Sequence, residues 1–171
     1  IGWTVNDASL HYAGGKGVDD SMTEGMFGDF DFTFSFKTEG NSGIIYRVRA
    51  GQWGRPYQTG PEFQIHNDAD EFNKNSTGSV YDVYETSEDK KLLPYPAWNT
   101  GRIRISNGLI THWINGVIVV QCQMHSEEWN EKVANSKWKD NKYYGKSPFG
   151  HIDFQNHGAK VWYKNLKIRK L

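Results

Sequence analysis

Alternation of apolar and polar residues with a period of two is the sequence feature that most constrains how this chain can fold. The clearest example is DFDFTFSFK at 29–37, which puts four phenylalanines on one face of an extended chain and Asp, Thr and Ser on the other. Because successive side chains of a β-strand point to opposite faces, this pattern predicts a strand buried on one side only. The chain is therefore expected to consist of half-buried strands rather than amphipathic helices.

The same alternation predicts strands along most of the chain. Further β segments are expected at 42–50, 61–68, 78–85 and 101–106. The last two segments, GHIDFQNHG (150–158) and VWYKNLKIRKL (161–171), are expected to form a hairpin around a turn at Gly158-Ala159-Lys160. The second arm changes phase part-way, which predicts a β-bulge near Lys164-Asn165.

Another hairpin is predicted around Asn115-Gly116, a dipeptide that lies between two β-rich arms in LITHWINGVIVVQCQ (109–123). Asn-Gly suits the two positive-φ positions of a type I′ turn. Direct pairing across this turn would join Ile114 to Val117, Trp113 to Ile118 and His112 to Val119. On this register His112 shares a face with apolar residues, which favours a packed, hydrogen-bonded histidine over a ligand-binding one.

Three stretches break the alternation and predict long connections, at 51–60, 86–100 and 124–149, the last with one helical turn near 126–134. Connections of that length in a compact domain are often functional. Many short strands with turn signals and little helix predict an all-β sandwich of two antiparallel sheets over 1–171, as a single domain. If one sheet is curved, its outer face forms a concave groove lined by the polar sides of its strands.

Composition excludes some functions and leaves others open. The 20 basic and 20 acidic residues balance, which argues against a nucleic-acid binder. The single cysteine, Cys122, excludes an intrachain disulfide, and no apolar run approaches the roughly 20 residues that span a bilayer. Aromatic residues make up 15% of the chain and include seven tryptophans, which either fill the core or line a sugar groove.

Several segments, taken in order, resemble the 3-keto-disaccharide hydrolase domain family over nearly the whole chain. The segments that carry the resemblance are NSGIIYRVR (41–49), TGPEFQI (59–65), TGSVYD (77–82), WNTGRIRISNGLITHWINGVIVV (98–120) and GHIDFQNHGAKVWYKNLKI (150–168). The sequence departs from the family at Asn156, where an aspartate is usual, and at Tyr163-Lys164, where Phe-Arg is common. The asparagine weakens any role that rests on a carboxylate at that position.

The resemblance implies a concanavalin-like jelly-roll sandwich with one concave face. It also implies cleavage of 3-keto-glycosides, which are sugars already oxidised at carbon 3. An exported bacterial protein is expected, periplasmic or extracellular, with a removed leader and with or without a lipid anchor. The E-x-D-x-x-E pattern of laminarinases is absent, so a standard glycosidase with two flanking carboxylates is not expected. The sequence gives no oligomeric state.

A ketone at carbon 3 acidifies the proton on carbon 2, and loss of that proton gives an enolate that can expel the group at carbon 1. This elimination, followed by addition of water, requires a base, a donor to the enolate oxygen and an acid for the leaving oxygen. It requires no cofactor. Asp68 and Asp70 could hold a structural cation, although a solvated loop is the plainer interpretation.

Strand parity selects the candidate site residues. His157 is the first choice as the catalytic acid or base, because imidazole titrates near neutral pH, and Glu62 is the second, as a base or as the group that orients the histidine. The candidates for substrate binding are Arg47, Gln64, Tyr81, Gln155 and Trp162.

Structural roles remain open for several of these residues. His157 could close a turn, Glu62 and Arg47 could form a cross-strand ion pair, and Trp162 could belong to the core. The alternative function is a lectin-like module that binds a carbohydrate without cleaving it.

Overall fold

The computed structural model describes residues 2–15, 19–51 and 53–171, in which eleven strands form two antiparallel sheets. In chain order the strands are β1 (Trp3–Asn6), β2 (Ser9–Tyr12), β3 (Ser21–Met22), β4 (Phe30–Thr38), β5 (Ser42–Val48), β6 (Glu62–Ile65), β7 (Asn99–Ser106), β8 (Leu109–Ile114), β9 (Val117–Gln123), β10 (His151–Asn156) and β11 (Val161–Lys170). Two helices, α1 (Pro56–Thr59) and α2 (Glu127–Ala134), lie in the connections. The all-β sandwich predicted from the sequence is confirmed.

The two sheets differ in the number of their strands. The larger has seven strands in the order β1-β2-β11-β4-β7-β8-β9, and the smaller has four in the order β3-β10-β5-β6. Their inner faces enclose the hydrophobic core, so each sheet presents its other face outward. In the described residues, no helix combines the length and the apolar character needed to cross a bilayer.

The alternation in β4 fills the core as expected. Phe30, Phe32, Phe34 and Phe36 are each no more than 4% exposed. The ring of Phe34 meets the ring of Phe63 from β6 edge-on, with centroids 5.4 Å apart, which joins the two sheets. Full burial of such a side chain contributes about 1.5–3 kcal/mol to stability, so these rings are a main reason the layers stay together.

The turn of the hairpin around Asn115-Gly116 is confirmed, but the strand register farther from the turn differs from the predicted one. Both residues have positive φ, 48° and 82°, and the first two predicted pairs form. The register then shifts at a bulge, so that His112 pairs with Val120 instead of Val119. A single extra residue in one strand of an antiparallel pair has this effect.

His112 is the packed histidine that the sequence predicted. It is fully buried, its Nδ1–H donates to the carbonyl of Gly78 at 2.8 Å, and its Nε2 accepts from the hydroxyl of Tyr46 at 3.0 Å. Burial lowers the pKa of this imidazole to about 4. A ring that is neutral and bonded at both nitrogens is a structural group.

The predicted hairpin between β10 and β11 is wrong. β10 pairs with β3 and β5 in the smaller sheet, whereas β11 pairs with β2 and β4 in the larger one. The connection at 158–160 therefore crosses from one sheet to the other. The bulge predicted in β11 is present: the register shifts between Lys164 and Lys167, and Asn165 has a φ of 54°.

Of the other local predictions, one is wrong and one is confirmed. The segment 78–85 forms no strand, only isolated bridges at Val80, because its backbone turns repeatedly. The helical turn near 126–134 is confirmed by α2, whose first turn is capped by the Ser126 hydroxyl, which accepts from Trp129 N–H at 3.1 Å. The short strands β1, β2 and β3 were not predicted.

The loop with Asp68 and Asp70 is held by a lysine. The carboxylate of Asp68 accepts from the Thr77 N–H at 2.8 Å and lies 3.8 Å from the ammonium of Lys90. That ammonium is fully buried and also donates to the backbone carbonyls of Asp68 and Glu71. The prediction of a solvated loop is wrong for Asp68, which is only 7% exposed.

Candidate functional site

The outer face of the four-stranded sheet carries a cavity with a volume of about 590 Å³. Its floor comes from β5, β6 and β10, and its walls come from two of the three long connections predicted from the sequence. The lining residues are Asp19, Asp20, Asn41, Arg55, Tyr57, Gln58, Glu62, Gln64, Tyr81, Lys137, Trp138, Asn141, Gln155, Asn156 and His157. We refer to this space as the cavity.

Strand register puts the polar side chains of the floor beside one another. Gly43 in β5 lies between Gln64 of β6 and Gln155 of β10, and both are its direct cross-strand partners. Two residues along, Ile45 separates Glu62 from Asp153 in the same way. The floor thus has a row with two amides and, next to it, a row with two carboxyl groups.

Gly43 makes room for the carboxyl group of Glu62. A Cβ atom at this position would lie 2.0 Å from Oε1 of Glu62 and 2.8 Å from its Cδ, well inside any permitted contact. The side chain of Glu62 therefore lies over the backbone of β5, in the space that a larger residue would fill. This gives a physical reason for glycine in the NSG segment.

The Glu62 carboxyl is buried although it lines the cavity. The residue is only 4% exposed, and burial raises the pKa of its carboxyl to about 8. The positive charge of Lys137 acts in the opposite direction and limits the rise, while the charge of Asp20 adds to it. A carboxyl with a pKa near 8 can accept a proton near neutral pH and hold it strongly.

Asp153 is a second buried carboxyl beneath the same floor. It has no solvent exposure, and its carboxyl shares a hydrogen bond with the carboxyl of Asp20. Burial, together with the negative charges of Asp20 and Glu62, raises its pKa to about 9. Because this carboxyl is buried and has no cation partner, its neutral form is favoured.

Asp20 completes a group of three carboxyls. It accepts from the backbone N–H of Asn156 at 2.7 Å, and burial raises its pKa. The charge of His157 lowers the pKa of Asp20, which shows that the imidazole is close enough to act on it. His157 is itself exposed and stands at the mouth of the cavity.

The wall opposite the histidine is aromatic and basic. The ammonium of Lys137 lies 3.8 Å from the centroid of the Tyr81 ring and 4.6 Å from that of Trp138. The Trp138 indole donates to the carbonyl of Tyr81 at 3.1 Å and stacks on Tyr144 at 5.2 Å, which fixes the wall. Arg55 lines the rim from just before α1.

In the described part of the chain, no three His, Cys, Asp or Glu residues are placed so that they could hold a metal ion. The cavity residues bring carboxyl, imidazole, ammonium, guanidinium and amide groups around a space large enough for a small sugar.

Comparison with known families and structures adds to this geometry. The family model described as a 3-keto-alpha-glucoside-1,2-lyase-like domain matches residues 1–169. The chain belongs to this family. Among curated proteins it is similar to the 3-keto-disaccharide hydrolase of Bacteroides thetaiotaomicron, with 25% identity over 99% of this chain and 70% of the relative.

Two solved structures are similar to this chain, one in sequence and fold and the other in fold alone. A candidate glycosyl hydrolase from Parabacteroides distasonis superposes with a TM-score of 0.90 and 31% identity, covering 100% of this chain and 84% of that one. The carbohydrate-binding module CBM66 of Bacillus subtilis has a TM-score of 0.62 at 11% identity, covering 98% and 91% of the two chains. The second similarity concerns the fold alone.

Five of the seven residues selected from the sequence of this family member line the cavity. They are Glu62, Gln64, Tyr81, Gln155 and His157. Gln64 is nearly enclosed: its amide N–H donates to the Asn75 carbonyl at 3.3 Å, and its Oε1 accepts from the Ile65 N–H at 3.1 Å. Its amide is therefore held by backbone groups beside the space.

Arg47 lies away from the cavity, contrary to the prediction. Its guanidinium pairs with Asp29 at 2.9 Å and donates to the Gly28 carbonyl at 3.2 Å. Its φ of 55° interrupts the alternation of β5, so counting residues from Gly43 gives the wrong direction for this side chain. The suggested ion pair with Glu62 is also absent, because Arg47 is paired with Asp29.

Trp162 lies on the other sheet. It belongs to β11, and its indole stacks on His11 with a centroid distance of 4.7 Å, on the outer face of the seven-stranded sheet. It was assigned to the cavity because β11 was expected to pair with β10. The tryptophan that does line the cavity is Trp138.

Sequence reasoning missed the residues that reach the cavity from connections. Asp20 precedes the two-residue strand β3, and Lys137 and Trp138 follow α2. Period-two alternation carries no signal for such positions. The length of the 124–149 connection did point to a functional segment, but it could not say which of its side chains face the sheet.

Proposed function

We propose that this protein cleaves the glycosidic bond of 3-keto-disaccharides in the cavity, by elimination followed by addition of water. Family membership and the name of the curated relative support a hydrolase acting on such sugars. The observation that carries the mechanism is the buried Glu62 carboxyl, with a pKa raised to about 8, on the cavity floor. Export of the protein remains a prediction of the resemblance.

Glu62 is proposed as the base that removes the proton from carbon 2. Its carboxylate would be poorly solvated, because the residue is 4% exposed, and a desolvated carboxylate is a stronger base than one in water. Gly43 lets the carboxyl project over the floor of the cavity instead of being displaced by a neighbouring side chain. Asp153, neutral below a pH of about 9, adds no negative charge that would oppose ionisation of Glu62.

Lys137 is proposed as the group that stabilises the enolate oxygen at carbon 3. Its ammonium is fixed against Tyr81 and Trp138 and acts electrostatically on Glu62. A cation placed in advance where negative charge develops lowers the barrier without further reorganisation.

His157 is proposed as the acid that protonates the leaving oxygen at carbon 1. It stands at the cavity mouth, where the departing sugar has a path to solvent. Its charge acts on Asp20, so the two groups lie close together beside the cavity. Gln155 and Asn41 supply amide groups for the hydroxyls of the sugar.

The test uses a 3-keto-disaccharide in deuterium oxide. Elimination and rehydration remove the hydrogen at carbon 2 and add deuterium from solvent, so the released 3-keto-monosaccharide carries deuterium at that carbon, as read by mass spectrometry and NMR. Direct hydrolysis leaves the hydrogen in place. A parallel sample of the product without enzyme corrects for spontaneous exchange, and retention of hydrogen at carbon 2 would refute the elimination.

Two substitutions assign the roles. Glu62→Gln and His157→Ala are each expected to lower kcat by about 10²–10⁴, the usual contribution of a general acid or base. Normal rates in both variants would overturn the assignment of these residues while leaving the family intact. Binding of the oxidised sugar without any cleavage by the unmodified protein would instead support the lectin-like alternative.

A further inference from the structure

The outer face of the seven-stranded sheet is basic, although the chain as a whole carries no net charge. The residues of β4, β7 and β11 that point away from the core contribute six cations. They are Lys37, Arg102, Arg104, Lys164, Lys167 and Arg169. In these three strands, which the structure describes completely, Asp31 alone adds a carboxylate to that face. We refer to this surface as the basic face.

Asp31 neutralises only part of this charge. Its two oxygens accept from Arg102 at 2.6 and 2.7 Å, and Arg169 lies 3.6 Å away. Lys37, Lys164 and Lys167 have no carboxylate within 4 Å in the parts of the chain that the structure describes. A surface with several unpaired cations attracts anions.

Two of these lysines line a hollow of about 350 Å³ beside β1 and β2, whose lining also includes one carboxyl group, that of Asp7. The ammoniums of Lys37 and Lys164 lie 5.1 and 4.0 Å from the centroid of one indole, that of Trp98. Lys37 also lies 4.9 Å from the Trp162 ring. Two like charges held at one ring repel each other, and an anion placed between them would remove that repulsion.

A second hollow of about 300 Å³ continues the basic face along the same strands. It is lined by Asp31, Thr33, Arg102, Lys167, Ile168 and Arg169. Lys37 and Thr33 are four residues apart on β4, a separation of about 13 Å at the rise of an antiparallel strand. The two hollows therefore suit successive groups of one extended ligand.

We propose that the basic face binds an acidic polysaccharide built of uronate sugars. The first hollow, walled by indole rings, has the size of a small-ligand site and suits the C–H face of a sugar, whose carboxylate would lie between Lys37 and Lys164. The pairing of Asp31 with Arg102 shows that this face already accommodates a carboxylate. The proposal does not depend on the proposed function, because the cavity lies on the other sheet.

A nucleic acid fits these observations less well. Nucleic-acid binders usually carry a strong basic excess, whereas this chain is balanced, with a pI near 7.2. Densely spaced phosphates are matched by many cations, and here only a few lysines lack a partner. Sugar units with one carboxylate each require fewer.

The experiment measures binding of polygalacturonate to the full chain at low salt, by calorimetry or affinity electrophoresis, with uncharged dextran and a single-stranded oligothymidylate as comparisons. Lys37→Gln combined with Lys164→Gln should weaken polygalacturonate binding by about tenfold, and Lys167→Gln alone by about threefold. Added salt should weaken binding by the unmodified protein more than by the double variant. Lys139→Gln combined with Lys146→Gln removes the same charge from exposed sites outside both hollows and should change affinity less than about twofold.

Activity on a 3-keto-disaccharide should be the same in all these variants, because none of the changed residues lines the cavity. No detectable binding of polygalacturonate, or equal affinity in the Lys37/Lys164 variant and its control, would overturn the proposal. Tighter binding of the oligothymidylate than of polygalacturonate would also overturn it, in favour of a nucleic-acid surface.

Discussion

Asp31 and Asp153 are the same residue type on the outer faces of the two sheets, and they behave in opposite ways. Asp31 accepts two hydrogen bonds from Arg102, and this contact lowers the pKa of its carboxyl. Asp153 is fully buried beside the carboxyl of Asp20, and burial raises its pKa to about 9. The comparison shows that surroundings, not residue type, decide which sheet has ionised carboxylates and which has neutral acids.

The same contrast distinguishes the two functions that we propose for the outer faces. On the seven-stranded sheet, exposed cations leave the carboxylate charged and some ammoniums free to meet an external anion. On the four-stranded sheet, three carboxyl groups have raised pKa values: Glu62 and Asp20 line the cavity, and Asp153 is buried beneath its floor. The cations that line the same cavity are Lys137 and Arg55. Clustered acids with raised pKa values are typical of sites that move protons.

The largest effect is expected from Gly43→Ala. The added Cβ would lie 2.0 Å from the Glu62 carboxyl and must push it out of the cavity floor, so kcat should fall by at least about 100-fold, as for loss of a positioned base. Steady-state kinetics on a 3-keto-disaccharide measures this. Gly25→Ala is the matched control, since its Cβ would have no contact closer than 3.5 Å, and its activity should be unchanged. Equal activity of the two variants would show that Glu62 need not occupy that space.

The next effect concerns pH. As the proposed base, Glu62 must be ionised, and burial raises its pKa to about 8, so only about a tenth of it is ionised at pH 7. The proposed acid, His157, must be protonated, so the effect of Glu62 is isolated in His157→Ala. In that variant we expect the residual kcat/KM to rise by about tenfold between pH 7 and pH 9 and then to level off, because the ionised fraction of Glu62 rises from about a tenth to nearly one. A pH–rate profile measures this, with buffers of matched ionic strength. A profile that is already level above pH 5 would mean that the base has an ordinary carboxyl pKa.

The smallest expected effects are on stability, in variants of Asp31 and Asp153. Asp31→Asn should lower stability at neutral pH by about 1 kcal/mol, the usual worth of a partly exposed ion pair. Because the folded-state pKa of Asp31 is lowered, its contribution exists above the unfolded pKa, near 3.9, and disappears as pH falls through the folded value.

Asp153→Asn should change the pH dependence of stability in the opposite direction to Asp31→Asn. The pKa of Asp153 is about 9 in the folded state, so between pH 4 and pH 9 the folded protein holds a proton that the unfolded chain has lost. Stability of the unmodified protein should therefore decrease as pH rises through that range, and the asparagine variant should lose this decrease. Thermal unfolding from pH 4 to pH 9 measures both variants, at about 2–4 °C per kcal/mol. Parallel curves for the two variants would contradict the contrast.

Much of the fold could be predicted where polar and apolar residues alternate regularly along a strand, as in β4 and β7. β4 and β7 pack with the expected residues inward, and the turn at Asn115-Gly116 forms as its residues require. The assignment of β11 failed because a turn signal does not reveal whether the chain returns to the same sheet or crosses to the other. The strands β1, β2 and β3 are only two to four residues long, too short for a period to be detected.

The site could be predicted only in regular strands, where side chains alternate between the two faces and the position of a residue determines its direction. Glu62 and Gln155 lie in regular strands that pair on either side of β5, so alternation placed them correctly. Arg47 failed because a single positive φ reverses the direction of its side chain. Lys137 and Asp20 are brought to the cavity by tertiary packing of connections, and no local pattern encodes that position.

The most direct test of the account is a titration of Glu62 itself. Carbon-13 labelling of glutamate carboxyl groups, followed by NMR between pH 3 and pH 10, reports the midpoint of each group, and Glu62→Gln identifies the resonance. We predict that one glutamate has a midpoint near 8 and that its resonance is missing in the variant. If every glutamate titrates between about 4 and 5, the usual range for this side chain, the cavity does not hold a desolvated base and the mechanism is wrong.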